Sequence, residues 1–488
     1  MTLSTAIRTA NSSLSSHAQH ISNISRNISG IGDPTYVRRN TDVLTTTLGG
    51  TRVETQRYVN RSVYTAMISS QADTARAEVL SVGYNRLSGL QGTNSFTFSP
   101  AKLLGDLQQS VDFAASAPAD SAALTTMIEQ ARTVANTMNS HYSEVLSMKE
   151  VADKEIGQSV ERINLLLGQI QQANEEVVNG TLVGTDVFDS MDNRDRLINE
   201  LSEEIGIKVI SGENNSTIIT TTSGAMLFES VPREVSFEAT ASYGANTVGN
   251  ELIIDGLTVS GPNATLKIDT GKIAGNLELR DEVLTAQQNQ LDEIARGLIE
   301  IFAEEDGTGG GKPPLAGLFT WNGGPAIPTT GVLSAGIASS ITLNPLADTQ
   351  TGGDPTLIRD GALNGDPDYQ YNTAGGPAFS DRLYDISAAF DVTATFDAIT
   401  ELPSSQSLNS FASSAVDFLN SQRAASLNEY SYRAELSTQF QQAMQNETGP
   451  NLDYEMSRLL EVERAYQATA RVISTVDEML ATLLQAVG

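Results

Sequence analysis

Three histidines, one glycine-rich run and one trio of aspartates are the places where this sequence offers residues for chemistry. His17 and His20 could present two imidazoles from one helix, and His141 stands alone. Neither a His-Glu-x-x-His pattern nor a carboxylate cluster accompanies them, so packing or solvated roles are expected. The run Gly307-Thr308-Gly309-Gly310-Gly311-Lys312 has the outline of a phosphate loop. It fails because Asp306 stands where the first glycine is needed, Pro313 replaces the metal-binding hydroxyl, and no apolar strand precedes it, which leaves a flexible turn. Asp189, Asp192 and Asp195 could hold a cation, but their spacing at a helix start favours acids facing a positive helix terminus. Serine and threonine are plentiful without a Gly-x-Ser-x-Gly elbow, cysteine is absent, and no pair of acids is singled out for acid–base work. The expectation is a protein with no catalytic, cofactor-binding or metal-ligating residue and no cofactor.

The strongest pattern lies at the two ends. Leu3, Ile7, Ala10, Leu14, His17, Ile21, Ile24 and Ile28 alternate at spacings of four and three, the seam of a coiled-coil helix. Leu452, Met456, Leu459, Val462, Tyr466, Thr469, Ile473, Val476, Leu480, Leu483 and Val487 do nearly the same. A helix with one apolar stripe needs a partner, so the chain ends are predicted to meet and to offer an assembly interface. Its expected residues are Leu3, Ile7, Leu14, Ile21, Ile24, Ile28, Met456, Leu459, Val462, Tyr466, Ile473, Val476, Leu480 and Leu483.

Between the ends, a Thr-rich extended segment is expected over 41–48, closed by Gly49-Gly50, and an amphipathic helix over 51–90. A long seam from Met138 through Tyr142, Val145, Ala152, Ile156, Ile163, Leu166, Ile170 and Ala173 to Val177 carries Lys149 and Ser159 in its polar gaps and is expected to stop at Asn179-Gly180. A shorter helix follows over 190–205. The period then changes to two at 207–210, 217–220, 234–237 and 265–268, predicting strands. Helix returns over 275–304, 381–400, 405–446 and 452–487, and the Gly/Pro/Thr/Asp-rich stretch 306–380 is expected to be irregular but ordered, with short strands at 331–334 and 340–343. The fold class is α+β, mostly α: an elongated multi-domain chain with paired terminal helices, a long helical bundle and a small inserted β domain. The expected domains are 1–30 with 450–488 for assembly, 31–206 with 272–449 for the bundle, and 207–271 for the insert.

Composition narrows the partners. The 488 residues exceed one ordinary core, and 30 basic against 59 acidic residues give a formal charge of −29, which repels nucleic acid and anionic membrane surfaces. Charged residues make up 18%, so the surface is polar more than ionic. The first residues, Met1-Thr2-Leu3-Ser4-Thr5, carry no cationic or apolar leader, and no window is apolar enough for a membrane span; neither a cleaved signal peptide nor membrane insertion is expected.

At the C terminus the residues become specific. Asn451-Leu452-Asp453-Tyr454-Glu455-Met456, Glu463-Arg464-Ala465-Tyr466-Gln467-Ala468 and the run Val472 to Leu484 resemble the C-terminal motif of the bacterial flagellar rod, hook and hook-associated axial proteins. Asn27-Ile28-Ser29 with Tyr36-Val37-Arg38 resembles that family's N-terminal motif, departing from it at Ser29-Gly30 and Asp33-Pro34. The segments from Asp192 to Ser202 with Gly206-Ile207-Lys208-Val209, and from Gly271 to Leu284 with Gln290-Leu291-Asp292-Glu293, are similar to hook-associated members in particular.

The resemblance implies a structural subunit at the junction between hook and filament, forming a ring with copies of itself. It further implies, as partners, the hook protein, a second hook-associated junction protein, an export chaperone and the type III export apparatus, and an extracellular location reached without a cleaved signal. A hook or rod subunit shares the terminal motifs; a secreted hydrolase using the same export route is the more distant alternative.

Overall fold

The computed structural model describes residues 3–33, 36–45, 51–92 and 96–487. In chain order its first elements are α1 (Leu3–Ser29), β1 (Arg39–Thr45), β2 (Thr51–Arg57), α2 (Arg61–Leu90), α3 (Pro100–Ser116), α4 (Ser121–Val183) and α5 (Phe188–Glu204). Strands β3 (Ile207–Ser211), β4 (Thr217–Thr221), β5 (Met226–Phe228), β6 (Val235–Ser236), β7 (Ile253–Ile254) and β8 (Leu257–Thr258) follow. Then come α6 (Lys272–Glu278), a π-turn over Leu279–Val283, α7 (Leu284–Ile301), β9 (Phe319–Thr320), α8 (Ile337–Ser340), β10 (Thr342–Leu343) and α9 (Leu357–Asp360). Last are α10 (Asp381–Ala389), β11 (Ala394–Thr395), β12 (Ser405–Gln406), α11 (Leu408–Thr448) and α12 (Leu452–Val487). Long helices with small antiparallel sheets make the α+β, mostly α class expected. Among the described residues no helix is long and apolar enough to cross a membrane.

Two compact units share the chain: residues 1–74, 163–234 and 433–488 in the first, 75–162 and 235–432 in the second. In the first unit α1 packs along α12 and against the antiparallel hairpin β1–β2. The unit also holds the sheet β3–β4–β5, beside which Asn174 accepts hydrogen bonds from Arg194 (2.9 Å) and from the backbone N–H of Thr217 (3.0 Å). The sheet β6–β7–β8 belongs to the second unit, so the segment 207–271 expected as one β insert is divided between the two units.

Every apolar residue of the long seam, from Met138 to Val177, is buried on α4. That helix passes through Gly180, where a Cβ would stand 2.3 Å from Cγ1 of Val187, and ends before Gly184, whose φ of +78° suits a residue without a side chain. The stop expected at Asn179-Gly180 therefore falls one turn late. Residues 51–57 are strand and not helix, because Thr51, Val53, Thr55 and Arg57 alternate against exposed neighbours and pair with β1. No strand forms at 265–268, where Ile268 makes a single backbone bond to Val259 (3.0 Å), nor at 331–334. The helix expected over 381–400 stops at Ala389, and β11 pairs with β12 instead.

In the second unit, Phe302, Phe319 and Phe390 close edge-to-face (5.1 and 6.0 Å between centroids), so the irregular stretch after α7 is anchored in the core as expected. The π-turn carries Arg280, whose buried guanidinium binds Asp153 (2.7 Å), Asp281 (2.7 Å) and the carbonyl of Asn250 (3.1 Å). Gly249 makes room: a Cβ there would lie 2.3 Å from the guanidinium carbon.

Asp292 on α7 is buried and accepts backbone N–H bonds from Gly336 (2.8 Å) and Ala338 (2.9 Å). Burial pushes its carboxyl up to about 7, with neighbouring Glu293 adding to the rise and the two N–H bonds opposing it. The unfolded chain titrates this group near the ordinary aspartate value of about 4, so across pH 4 to 7 the folded protein holds the extra proton and its stability declines as pH rises. Asp292→Asn stays neutral. Urea unfolding from pH 4 to 7 is expected to show the wild-type protein losing ground to this variant by up to about 1.4 kcal/mol per pH unit; a pH-independent difference contradicts it.

Candidate terminal assembly site

Helix α1 shows two faces with different chemistry. On the face toward α12, Ala10, Ile24, Val462 and Val476 are buried, while Ile7, Leu14, Ile21, Ile28, Leu459, Tyr466, Ile473 and Leu480 are half-buried. Met456 is 44% exposed. The side chains of Leu3 and Leu483 lie outside the described residues. Two helices alone therefore cover this seam only in part. Leu452, Leu460, Val472, Met479 and Leu484 add further exposed apolar surface along α12, Leu484 at 73%.

The other face of α1 is polar and binds the hairpin. Ser12 donates to the carbonyl of Thr51 (2.7 Å) and accepts from its N–H (2.9 Å), and the Ser16 hydroxyl lies 3.0 Å from that of Thr51. Asn23 donates to the hydroxyls of Thr41 (3.0 Å) and Thr55 (2.9 Å), which are cross-strand partners. Asn27 donates to the carbonyl of Arg39 (3.0 Å) and accepts from its N–H (3.0 Å), standing in for one residue of a neighbouring strand. Tyr36 also donates to Asn27 (3.0 Å). Gly30 lets that ring close over the end of α1, since a Cβ there would sit 2.5 Å from it.

This polar seam, Ser12, Ser16, His20, Asn23 and Asn27, runs at spacings of 4, 4, 3 and 4, parallel to the apolar one. His20 is buried on it, and its pKa is lowered chiefly by burial and then by Arg458 and His17, with Glu461 and Asp42 opposing. In the sequence the apolar stripe of α1 stands out, and no role is assigned to Ser12, Ser16 or Asn23. The signal available was their heptad spacing.

The two ends of the chain are tied here through residues of both flagellar-like motifs. The backbone N–H of Arg38 donates to the Thr448 carbonyl (2.7 Å), its guanidinium lies 4.8 Å from the Tyr454 ring centroid, and its Nε is 3.9 Å from the Glu455 carboxylate. Burial raises the Glu455 carboxyl, while a hydrogen bond with Asn27 and the charges of Arg38 and Arg458 hold it down.

Asp189 lies in the first turn of α5, as expected of an acid at a helix start, but no side chain of Asp189, Asp192 or Asp195 caps that helix. They lie three residues apart on α5 and meet two arginines of the hairpin. Arg39 pairs with Asp189 and lies 3.5 Å from Asp192; Arg57 binds Asp192 (2.8 Å) and Asp195 (2.7 Å). Arg39 and Arg57 are direct cross-strand partners, an arrangement that repels unless acids intervene. Asp192 reaches both. Its carboxyl is raised by burial despite the two cations, whereas the Arg39 hydrogen bond lowers that of Asp189. Rings of Tyr36 and Phe188 flank the Arg39 guanidinium at 5.5 and 5.7 Å.

Comparison with known proteins gives a consistent result. Residues 94–310 match the model of the flagellar hook-associated protein FlgK helical domain, and 441–486 match the flagellar basal body rod FlgEFG protein C-terminal model. Flagellar hook-associated protein 1 of Escherichia coli is 23% identical over 99% of this chain and 100% of its own length. That of Salmonella typhimurium is 25% identical over 62% of this chain and 56% of its own. The solved structure of the flagellar hook junction protein FlgK from Burkholderia pseudomallei shares the fold, with a TM-score of 0.59, 12% identity, and coverage of 78% of this chain and 99% of that one.

Asn27→Ala removes the strand-like pair to Arg39 and the acceptor for Tyr36. Amide exchange over residues 39–45 and 51–57 is expected to speed up by the equivalent of about 2–3 kcal/mol. Asn27→Asp is expected to do no better, because a carboxylate cannot donate to the Arg39 carbonyl and is placed beside Glu455. Unchanged exchange in both variants contradicts the role assigned to Asn27.

Proposed function

Because the chain belongs to the flagellar hook-associated protein 1 family, we propose that it is a structural, non-catalytic subunit of the bacterial flagellum that joins hook to filament. The observation that carries this reading is the apolar surface α12 keeps in a single copy, from Leu452 and Met456 to Met479 and Leu484. The seam between α1 and α12 that the two helices cover only in part, with Met456 exposed and Leu459, Tyr466, Ile473 and Leu480 half-buried, supports a contact with neighbouring helices of the same type.

In this proposal residues 1–30 and 450–488 form the assembly part, and copies nest their paired ends into a ring. Leu3, Ile7, Leu14, Ile21, Ile24, Ile28, Met456, Leu459, Val462, Tyr466, Ile473, Val476, Leu480 and Leu483 supply the seam. The hook protein lies on one side and a second hook-associated protein on the other. Delivery runs through the flagellar type III apparatus with an export chaperone, to an extracellular position and without a cleaved signal. A single seam buries little surface against the entropy of ordering two long helices, so its completion by neighbours couples ordering to assembly. The match of 441–486 to a rod protein C-terminal model keeps a hook or rod subunit as the second reading, and the match of 94–310 to a hook-associated helical domain favours the junction.

Leu14→Asp and Ile473→Asp place an unpaired carboxylate in the seam, at a cost of several kcal/mol per copy. Each variant is expected to give a soluble protein with an intact second unit that is not incorporated, seen as non-motile cells without filaments. Normal filaments assembled from either variant contradict the seam assignment.

A further inference from the structure

The second unit contains a cavity of about 970 Å³ that the junction role does not use. Its size is that of small-molecule sites. The cavity lies beside the π-turn, a local distortion that often marks a functional position. Ile268, Ala274 and Leu277 line it and are buried, which gives it an apolar wall.

Lys149 lines the same cavity at 4% exposure. Its ammonium donates to Thr285 (2.9 Å) and to Gln288 (2.7 Å), both neutral. Gln288 is fixed in that orientation because its amide N–H₂ donates to the Tyr142 hydroxyl (2.6 Å). An ammonium has three donors, and the third has no acceptor among the described residues. No carboxylate lies within ion-pair distance of Lys149 among the described residues either. Asn289, a residue 8% exposed, lines the cavity too, and its carboxamide makes no hydrogen bond among the described residues.

The acids of the wall are otherwise occupied or exposed. Glu278 pairs with Arg76, Asp281 with Arg280 and Glu282 with Lys267 (3.3 Å), while Glu251 and Asp269 are exposed. Burial lowers the Lys149 pKa to about 8, which leaves the amine mostly protonated at neutral pH. The charge of Asp281 favours this cation and that of Arg280 opposes it, but the groups in contact with it are neutral, a costly arrangement that an anionic head beside it relieves.

We propose that this cavity is a binding site for a small organic acid, with its carboxylate on Lys149 and Asn289 and an apolar body against Ile268, Ala274 and Leu277. The partner is recognised by one compact anionic head and a short apolar chain, and the site is separate from the terminal seam.

Titration calorimetry of the purified full chain with hexanoate tests it, with hexanol as the uncharged control. Hexanoate is expected to bind saturably and hexanol at least tenfold more weakly. Lys149→Met, which keeps the volume and removes the charge, is expected to weaken hexanoate at least tenfold, and Asn289→Leu several-fold; circular dichroism and thermal melting check that each variant is folded. Absence of saturable hexanoate binding to the wild-type chain overturns the proposal. So does hexanoate affinity within twofold of wild type in both folded variants.

Discussion

A helix that must be covered on two sides is the constraint on which the first unit depends. Helix α1 carries an apolar stripe and a polar stripe, and each needs its own partner. The apolar one meets α12, more than four hundred residues away in sequence, and the polar one meets a hairpin supplied by the residues that follow it. Asn27 sits where the two coverings converge: its carboxamide satisfies both backbone groups of Arg39, and its neighbour Glu455 begins α12. The hairpin in turn depends on α5, because Arg39 and Arg57 face each other across the strands and Asp192 neutralises both. Remove either acid or amide and the like charges or the unpaired backbone remain buried.

That dependence separates what a single chain can satisfy from what it leaves open. Ser12, Ser16, Asn23 and Asn27 on the polar face of α1 each find a partner within the same chain. The apolar face does not reach the same closure: only Ala10 and Ile24 of α1, and Val462 and Val476 of α12, are buried among the seam residues described. Polar closure within the chain and apolar incompleteness at its surface fit the assembly role proposed above, in which register is set before copies meet.

The α4 seam was legible from sequence because apolar residues at alternating fours and threes have few other uses; the burial of every predicted apolar position from Met138 to Val177 shows it. What was not legible has a physical cause in each case. Ser12, Ser16 and Asn23 look solvated until threonine hydroxyls are known to face them. The aspartates of α5 share no sequence signal with Arg39 and Arg57, which lie about 140 residues upstream. The strand at 51–57 is too short for period two to outweigh the helical pattern that follows, and Lys149, marked only as a polar gap in the α4 seam, revealed its missing counter-charge once α7 was packed beside it.

Deleting the gene and examining the cells by electron microscopy, while assaying the medium for flagellin, tests the account most directly. A junction subunit predicts finished hooks that carry no filament, with unpolymerised flagellin shed into the medium. Missing hooks would place the protein lower in the axial structure, and normal filaments would contradict the account outright.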